Sequence, residues 1–276
     1  VALSALSLFS AHETRAQEAK PSAPASAACP PEMAKVGGYC IDRFEVTTVD
    51  HKTGKALSPF YPPAPVQLRF IHEYWSVEAG RMGDARVRLV PLPPVPEVEQ
   101  STSFSPRAVS RAGAVPQGYL SYYSARTACE NAGKRLCTED EWVHACRGPG
   151  RRLHPYGEQF VQGACNVNRL QHPAFVLHGN SSLGHLDPRL NLVFEQDAGP
   201  LLRETGTSPR CISPWDAPGV YDMEGNLDEW IEDPEGTFVG GFYSRGTTQG
   251  CEARVSSHAP AYYDYSLGTR CCKSAR

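Results

Sequence analysis

Residues 132–142 read Ala132-Gly133-Lys134-Arg135-Leu136-Cys137-Thr138-Glu139-Asp140-Glu141-Trp142. This run closes one helix and opens another. Gly133 has the freedom a C-cap needs. Thr138 and Glu141 form a capping box, in which hydroxyl and carboxylate each satisfy an orphan backbone N–H. Upstream, Ser121 is a suitable N-cap, and Tyr122, Ala125, Cys129 and Ala132 recur at three- and four-residue spacing on one face. Downstream, Trp142, Ala145 and Cys146 face a core until Gly148-Pro149-Gly150 stops the second helix.

The flanks differ from this helical centre. Gly38–Thr47 alternates apolar and polar residues and predicts a strand. Residues 50–118 form a region punctuated by Pro59, Pro62, Pro63, Pro65, Pro91, Pro93, Pro94 and Pro96. Such prolines mark turns and edges, with strands expected at Val66–Trp75 and Ala85–Val90. Beyond residue 150, glycines, prolines and aromatics follow no period. Gly and Pro number 24 each, which predicts a loop-rich α+β chain.

A net charge of −3 gives no electrostatic reason to expect nucleic acid or an anionic membrane as partner. The ten cysteines carry more information: Cys29, Cys40, Cys129, Cys137, Cys146, Cys165, Cys211, Cys251, Cys271 and Cys272. An even number in a loop-rich chain favours disulfides and an oxidising compartment. Zinc is the alternative, but its usual Cys-x2-4-Cys knuckles do not occur. Val1–Ala11 (VALSALSLFSA) resembles the tail of a signal h-region, with cleavage plausible near Ala16; a disordered tail is the alternative. Gln17–Ala28 is a low-complexity linker. Residues 1–28 are therefore expected to be an export-signal remnant and linker, and 29–276 one domain with a Pro-rich insertion at about 50–118. The expected location is secreted or periplasmic. No stretch is long and apolar enough for a membrane span.

Four blocks resemble the formylglycine-generating enzyme (sulfatase-modifying factor) family, in that family's order. They are Tyr39–Thr47; Ser121–Gly148 around AGKRLCTEDEW; Gly219-Val220-Tyr221-Asp222-Met223-Glu224-Gly225-Asn226-Leu227-Asp228-Glu229-Trp230; and the tail with Gly240-Gly241, Cys251-Glu252-Ala253-Arg254 and Leu267-Gly268-Thr269-Arg270-Cys271. The resemblance implies an irregular, disulfide-stapled α+β fold related to C-type lectin domains. It also implies bridges Cys129–Cys271 and Cys146–Cys251. With those carried over, we expect Cys29–Cys40, Cys165–Cys211 and Cys137–Cys272.

The family enzyme oxidises a substrate cysteine to formylglycine with Cu(I) and O2, and a soft metal needs thiolates. The family places two cysteines shortly after Gly-Gly-Ser. Residues 240–250 here read GGFYSRGTTQG, without cysteine and shorter than the family's stretch. Arg245 falls near the first copper-ligand position, Phe242 replaces the family Ser, and Asp228 replaces a Trp. Copper is accordingly not expected. Asp228, Phe242, Ser244 and Arg245 are the residues expected to line a binding groove. An iron site on His144, His154, His172, His178, His185 or His258 is not expected, since isolated histidines are usually surface or satisfied core groups; the one H-x-D spacing among them is His185-Leu186-Asp187.

The resemblance further implies calcium in the 222–229 loop, on the side chains of Asp222 and Glu229 and the carbonyls of Gly225 and Leu227. A second calcium would use Asn166 and the carbonyl of Val167. Several hard oxygens around a Gly-containing turn suit Ca2+; a solvated acidic turn is the alternative. Tyr262, Tyr263, Asp264 and Tyr265 are either a binding surface or core packing. The functional expectation is an exported binding or accessory/maturation domain, with a peptide, protein or glycan as ligand. The alternative is a divergent metal-dependent oxidoreductase acting on an exported peptide or protein.

Overall fold

The computed structural model describes residues 29–83, 85–195, 199–256 and 258–275, besides Val1. The expected export signal and linker lie outside the described residues, apart from Val1. In chain order the elements are β1 (Met33–Val36), β2 (Tyr39–Asp42), β3 (Val46–Asp50), α1 (Pro65–Glu78), β4 (Pro106–Ser110), α2 (Tyr122–Asn131), β5 (Arg135–Leu136), α3 (Glu139–Arg147), α4 (Pro173–His178), β6 (Phe194–Glu195), β7 (Gly199–Pro200), β8 (Ile212–Ser213), β9 (Val220–Tyr221), β10 (Asp228–Trp230), β11 (Phe238–Val239), β12 (Arg254–Val255), β13 (Leu267–Thr269) and β14 (Cys271–Ser274). The fold is an irregular α+β arrangement. Between residues 151 and 219 the described chain holds only one six-residue helix, two-residue strands and a 3-10 turn.

The helical centre forms as its local signals require. Ser121 caps α2 through a box with Ser124, and Thr138 caps α3 through a box with Glu141. The Glu141 carboxylate also accepts two bonds from Arg135. Gly133 adopts φ 67° at the end of α2, and its N–H reaches the Glu130 carbonyl. Trp142, Ala145 and Cys146 then enter the main core beside Ile41, Val220 and Ile231.

Two four-stranded sheets organise the rest. One has the order β1-β2-β14-β5, and the other β12-β11-β10-β13. β14 lies between β2 and β5, so the end of the chain closes onto its beginning. Cys129–Cys271 and Cys137–Cys272 fasten this closure, and Cys29–Cys40, Cys146–Cys251 and Cys165–Cys211 staple other parts of the fold, with no cysteine left free.

The predicted strand over 38–47 is two strands. After β2 the chain bends at Arg43, whose guanidinium donates to the carbonyls of Asp216 and Gly219. Val46 then starts β3, which pairs antiparallel with β4 from Val46↔Ser110 to Asp50↔Pro106. This ladder brings the two ends of the proline-rich insertion together.

Within the insertion, the strand expected at Val66–Trp75 is helix α1. Val66, Leu68 and Phe70 alternate, which reads as a strand; yet the residues buried are Leu68, Ile71 and Trp75, at helical spacing. Pro65 sits at the first helical position, where its missing N–H costs nothing. The second expected strand, over 85–90, contains a single 3-10 turn at Val87–Leu89. Leu68, Ile71, Trp75, Tyr61 and Phe104 form an apolar cluster of the insertion's own. Arg189, fully buried, joins this region to the rest. It holds Asp187 through Nε and a terminal nitrogen, and donates to the carbonyls of Ala79 and Val87.

Candidate functional site

The turn from β9 to β10 requires unusual backbone. Asp222 and Asn226 both take positive φ (54° and 65°), which costs a non-glycine residue free energy unless neighbours hold it. Gly225, between them, leaves no room for a side chain: a Cβ there would lie 2.3 Å from the Asn166 carbonyl oxygen. That carbonyl accepts from the Asn226 N–H at 2.8 Å. The structure thus brings Asn166 and Val167 against the 222–229 turn.

Of the carboxylates in this turn, Glu229 is the one fully engaged by protein donors. Glu229 accepts from Nε and a terminal nitrogen of Arg270 at 2.7 Å each, and from the Trp142 indole N–H at 2.7 Å. Arg270 and Glu229 are both buried. The remaining Arg270 donors reach the Asp42 and Asp222 carbonyls at 3.3 Å. Asp222 accepts from the Gly206 N–H at 2.7 Å. Asn166 donates to the Leu201 carbonyl and to Asn226 Oδ1, and accepts from Arg169.

Glu45, which sequence reasoning left as a strand residue, completes the network. Its carboxylate accepts from the Asn226 amide and the Leu227 N–H. Burial, then the neighbouring charges of Asp222 and Glu229, push its carboxyl well above the ordinary range. Burial likewise pushes Asp222 up to about 6, opposed by the Gly206 hydrogen bond and by Arg270.

The expected groove residues also converge. Arg245 donates a terminal nitrogen to Asp228 Oδ2, and its guanidinium lies 5.3 Å from the centroid of the Phe242 ring. Asp228 is 1% exposed, and its Oδ1 has no hydrogen-bond partner; neither does buried Arg245 Nε. Burial pushes the Asp228 carboxyl up to about 6, although Arg245 pulls it down; Asp264 adds to the rise. Asp264 accepts from Ser266 and from the Tyr262 hydroxyl at 2.6 Å. The aromatic run 262–265 therefore supplies a second carboxylate to this end of the site, a role its aromatic composition hid.

The loop carrying Arg245 is fixed. Asn168 holds the Thr247 backbone through both amide groups, and the Arg169 N–H donates to the Tyr243 carbonyl. Ser244 turns away from Asp228 and donates to the Gln171 carbonyl at 2.7 Å. Phe242 meets the His172 ring edge-on at 6.0 Å, and the Tyr265 hydroxyl lies 3.1 Å from His172 Nε2. Burial and His185 lower the His172 pKa, which favours its neutral form. Beyond His172 opens a cleft of about 540 Å3 lined by Leu170, Gln171, His172, Phe175, Val176 and Ser181. Leu170 and Phe175 are exposed there. The site therefore has a charged end at Asp228–Arg245 and an apolar end at the cleft, joined by Phe242 and His172. Among the described residues, no three His, Cys, Asp or Glu side chains converge as a metal-ligand set.

A family model described as "Sulfatase-modifying factor enzyme 1-like domain" matches residues 11–274. The formylglycine-generating enzyme of Mus musculus is 30% identical over 119 residues, which is 43% of this chain and 27% of that enzyme. The Bos taurus enzyme is 28% identical over the same shares. The matched stretch thus spans about a quarter of the length of these curated relatives. Similar solved structures include "Crystal Structure of CarF" (13% identity, TM-score 0.39, covering 86% of this chain and 87% of that one). Another is PvdO from Pseudomonas aeruginosa (16%, TM-score 0.40, 86% and 80%). A third is a Major Tropism Determinant U1 variant (14%, TM-score 0.43, 90% and 54%).

Proposed function

The chain belongs to the sulfatase-modifying factor enzyme 1-like domain family, and from that premise we propose that it is an exported binding or accessory domain that takes an extended peptide segment of a partner protein. The charged end holds a polar or ionic group of the peptide, and the cleft at Leu170 and Phe175 takes an apolar side chain. The observation that carries this reading is the Arg245–Asp228 pair, closed over Phe242 beside that cleft. Five disulfides suit an oxidising compartment outside the cytoplasm.

Neither metal implied by the family fits the residues in this arrangement. Copper(I) needs thiolates, and all ten cysteine sulfurs are bridged. The Glu229 carboxylate would have to release Arg270 and Trp142 to hold calcium, leaving a buried guanidinium uncompensated. The Asn166 amide oxygen already accepts from the Arg169 guanidinium, a cation beside the position calcium would take. Glu229 is thus neutralised by Arg270, while Asp222 accepts one bond from the Gly206 N–H.

The test is peptide selection on the immobilised full chain, followed by calorimetry and metal analysis of the same preparation. We expect selected peptides to carry an apolar residue, and Phe175→Ser to weaken them by roughly tenfold or more, the effect of losing one buried aromatic contact. No enriched peptide overturns the reading. So does one equivalent of copper or iron, which would favour a metal-dependent oxidoreductase.

A further inference from the structure

Helix α1 has two apolar faces. One, through Leu68, Ile71 and Trp75, is buried in the cluster of the insertion. The other consists of Val66, Phe70, Tyr74 and Val77, all exposed. Their spacing of four, four and three residues keeps them on one line, and Phe70 and Tyr74 lie parallel at 6.4 Å. A polar face of Arg69, His72, Glu73 and Ser76 completes the helix, and an exposed apolar stripe of this kind marks an interaction surface.

We propose that this stripe is a homodimer interface in which α1 packs antiparallel against α1 of a second copy. A two-fold interface must be self-complementary, and the stripe is. Its order, Val66–Phe70–Tyr74–Val77, is nearly the same read from either end. An axis through its midpoint sets Val66 against the partner's Val77, and Phe70 against the partner's Tyr74. The charges obey the same axis. Arg69 and Glu73 are exposed on either side of the midpoint, so Arg69 meets the partner's Glu73 and Glu73 meets the partner's Arg69. Parallel pairing would carry the partner's Arg69 and Glu73 to the opposite flank and lose both contacts.

The relief of the surface also suits a partner helix. A hollow of about 330 Å3 lies along Phe70 and Tyr74 against Leu186, and one of about 550 Å3 lies beside Val66 against Phe104 and Tyr123. The four stripe residues offer roughly 400–500 Å2 per copy, judged from the usual area of aromatic side chains. With flanking residues the pair reaches about 1,000 Å2, the lower end for specific interfaces. An interface of that size belongs to the weak, reversible class. This surface is separate from the Asp228–Arg245 groove and does not depend on its function.

Sedimentation equilibrium of the full chain at about 1–200 μM, spanning a micromolar dissociation constant, tests the proposal. A monomer–dimer equilibrium is expected, and Phe70→Glu should weaken it by roughly tenfold or more with an unchanged circular-dichroism melt. Arg69→Glu and Glu73→Arg should each weaken the dimer, and the two together should restore it. That rescue does not depend on how well the Phe70 variant folds. A monomer throughout, as expected if a different protein covers the stripe, overturns the proposal. So does a dimer insensitive to Phe70→Glu, or a charge swap that fails to restore association.

Discussion

Asp228 is a buried carboxylate with one oxygen bonded to Arg245 and the other unpartnered. Its carboxyl, pushed up to about 6, lies above the ordinary unfolded value of about 3.9. The folded state therefore favours the protonated form. The contribution of Asp228 to stability is fully present below about pH 4 and is lost as pH rises through about 6. Asp228→Asn removes this dependence. The difference in stability between wild type and variant should fall from about pH 4 to about pH 6 and stay flat above it, as urea melts at a series of pH values will show. Glu45 and Asp222 are pushed in the same direction and remain in both proteins, so the comparison isolates Asp228.

At the scale of elements, the insertion depends on Arg189. This residue lies outside the family motifs, yet it donates to carbonyls that follow α1 while paired with Asp187. Tyr119 and His178 complete the surroundings of Asp187, the first by donating to its carbonyl and the second lying 3.2 Å from its carboxylate. Arg189→Leu leaves that carboxylate short of its strongest partner and frees the end of α1. We expect a loss of about 3–5 kcal/mol, as for a buried pair broken on one side, together with faster proteolysis confined to residues 80–95. Denaturant melts and mass spectrometry of limited digests measure the two effects. The element itself was misread from sequence because both its faces are apolar: Val66, Leu68 and Phe70 obey a strand's period before Ile71 breaks it. The α2–α3 pair was legible because its caps lie within three residues of the groups they satisfy.

At the scale of the whole molecule, two bridges close nearly the same loop. Cys129–Cys271 spans 142 residues and Cys137–Cys272 spans 135. Each makes the other largely redundant in restricting the unfolded chain. Replacing either pair by alanine should cost about 2–3 kcal/mol, the chain-entropy value for the short loop that remains. Replacing both should cost more than the sum of the single effects, which guanidinium melts of the three variants will measure. The sequence by itself determined the capped helix pair, the loop-rich character after residue 150, the family blocks and the even set of cysteines, because caps, turn residues and motif spacing act over a few neighbouring positions. Only the tertiary structure decided that α1 is a helix with a bare apolar stripe, and that Glu45 reaches Asn226 while Arg270 neutralises Glu229. It alone also set Asp264 near Asp228. Those outcomes depend on which distant side chains share a desolvated space, and burial energies of that kind are set by the closed fold and leave no mark on local spacing.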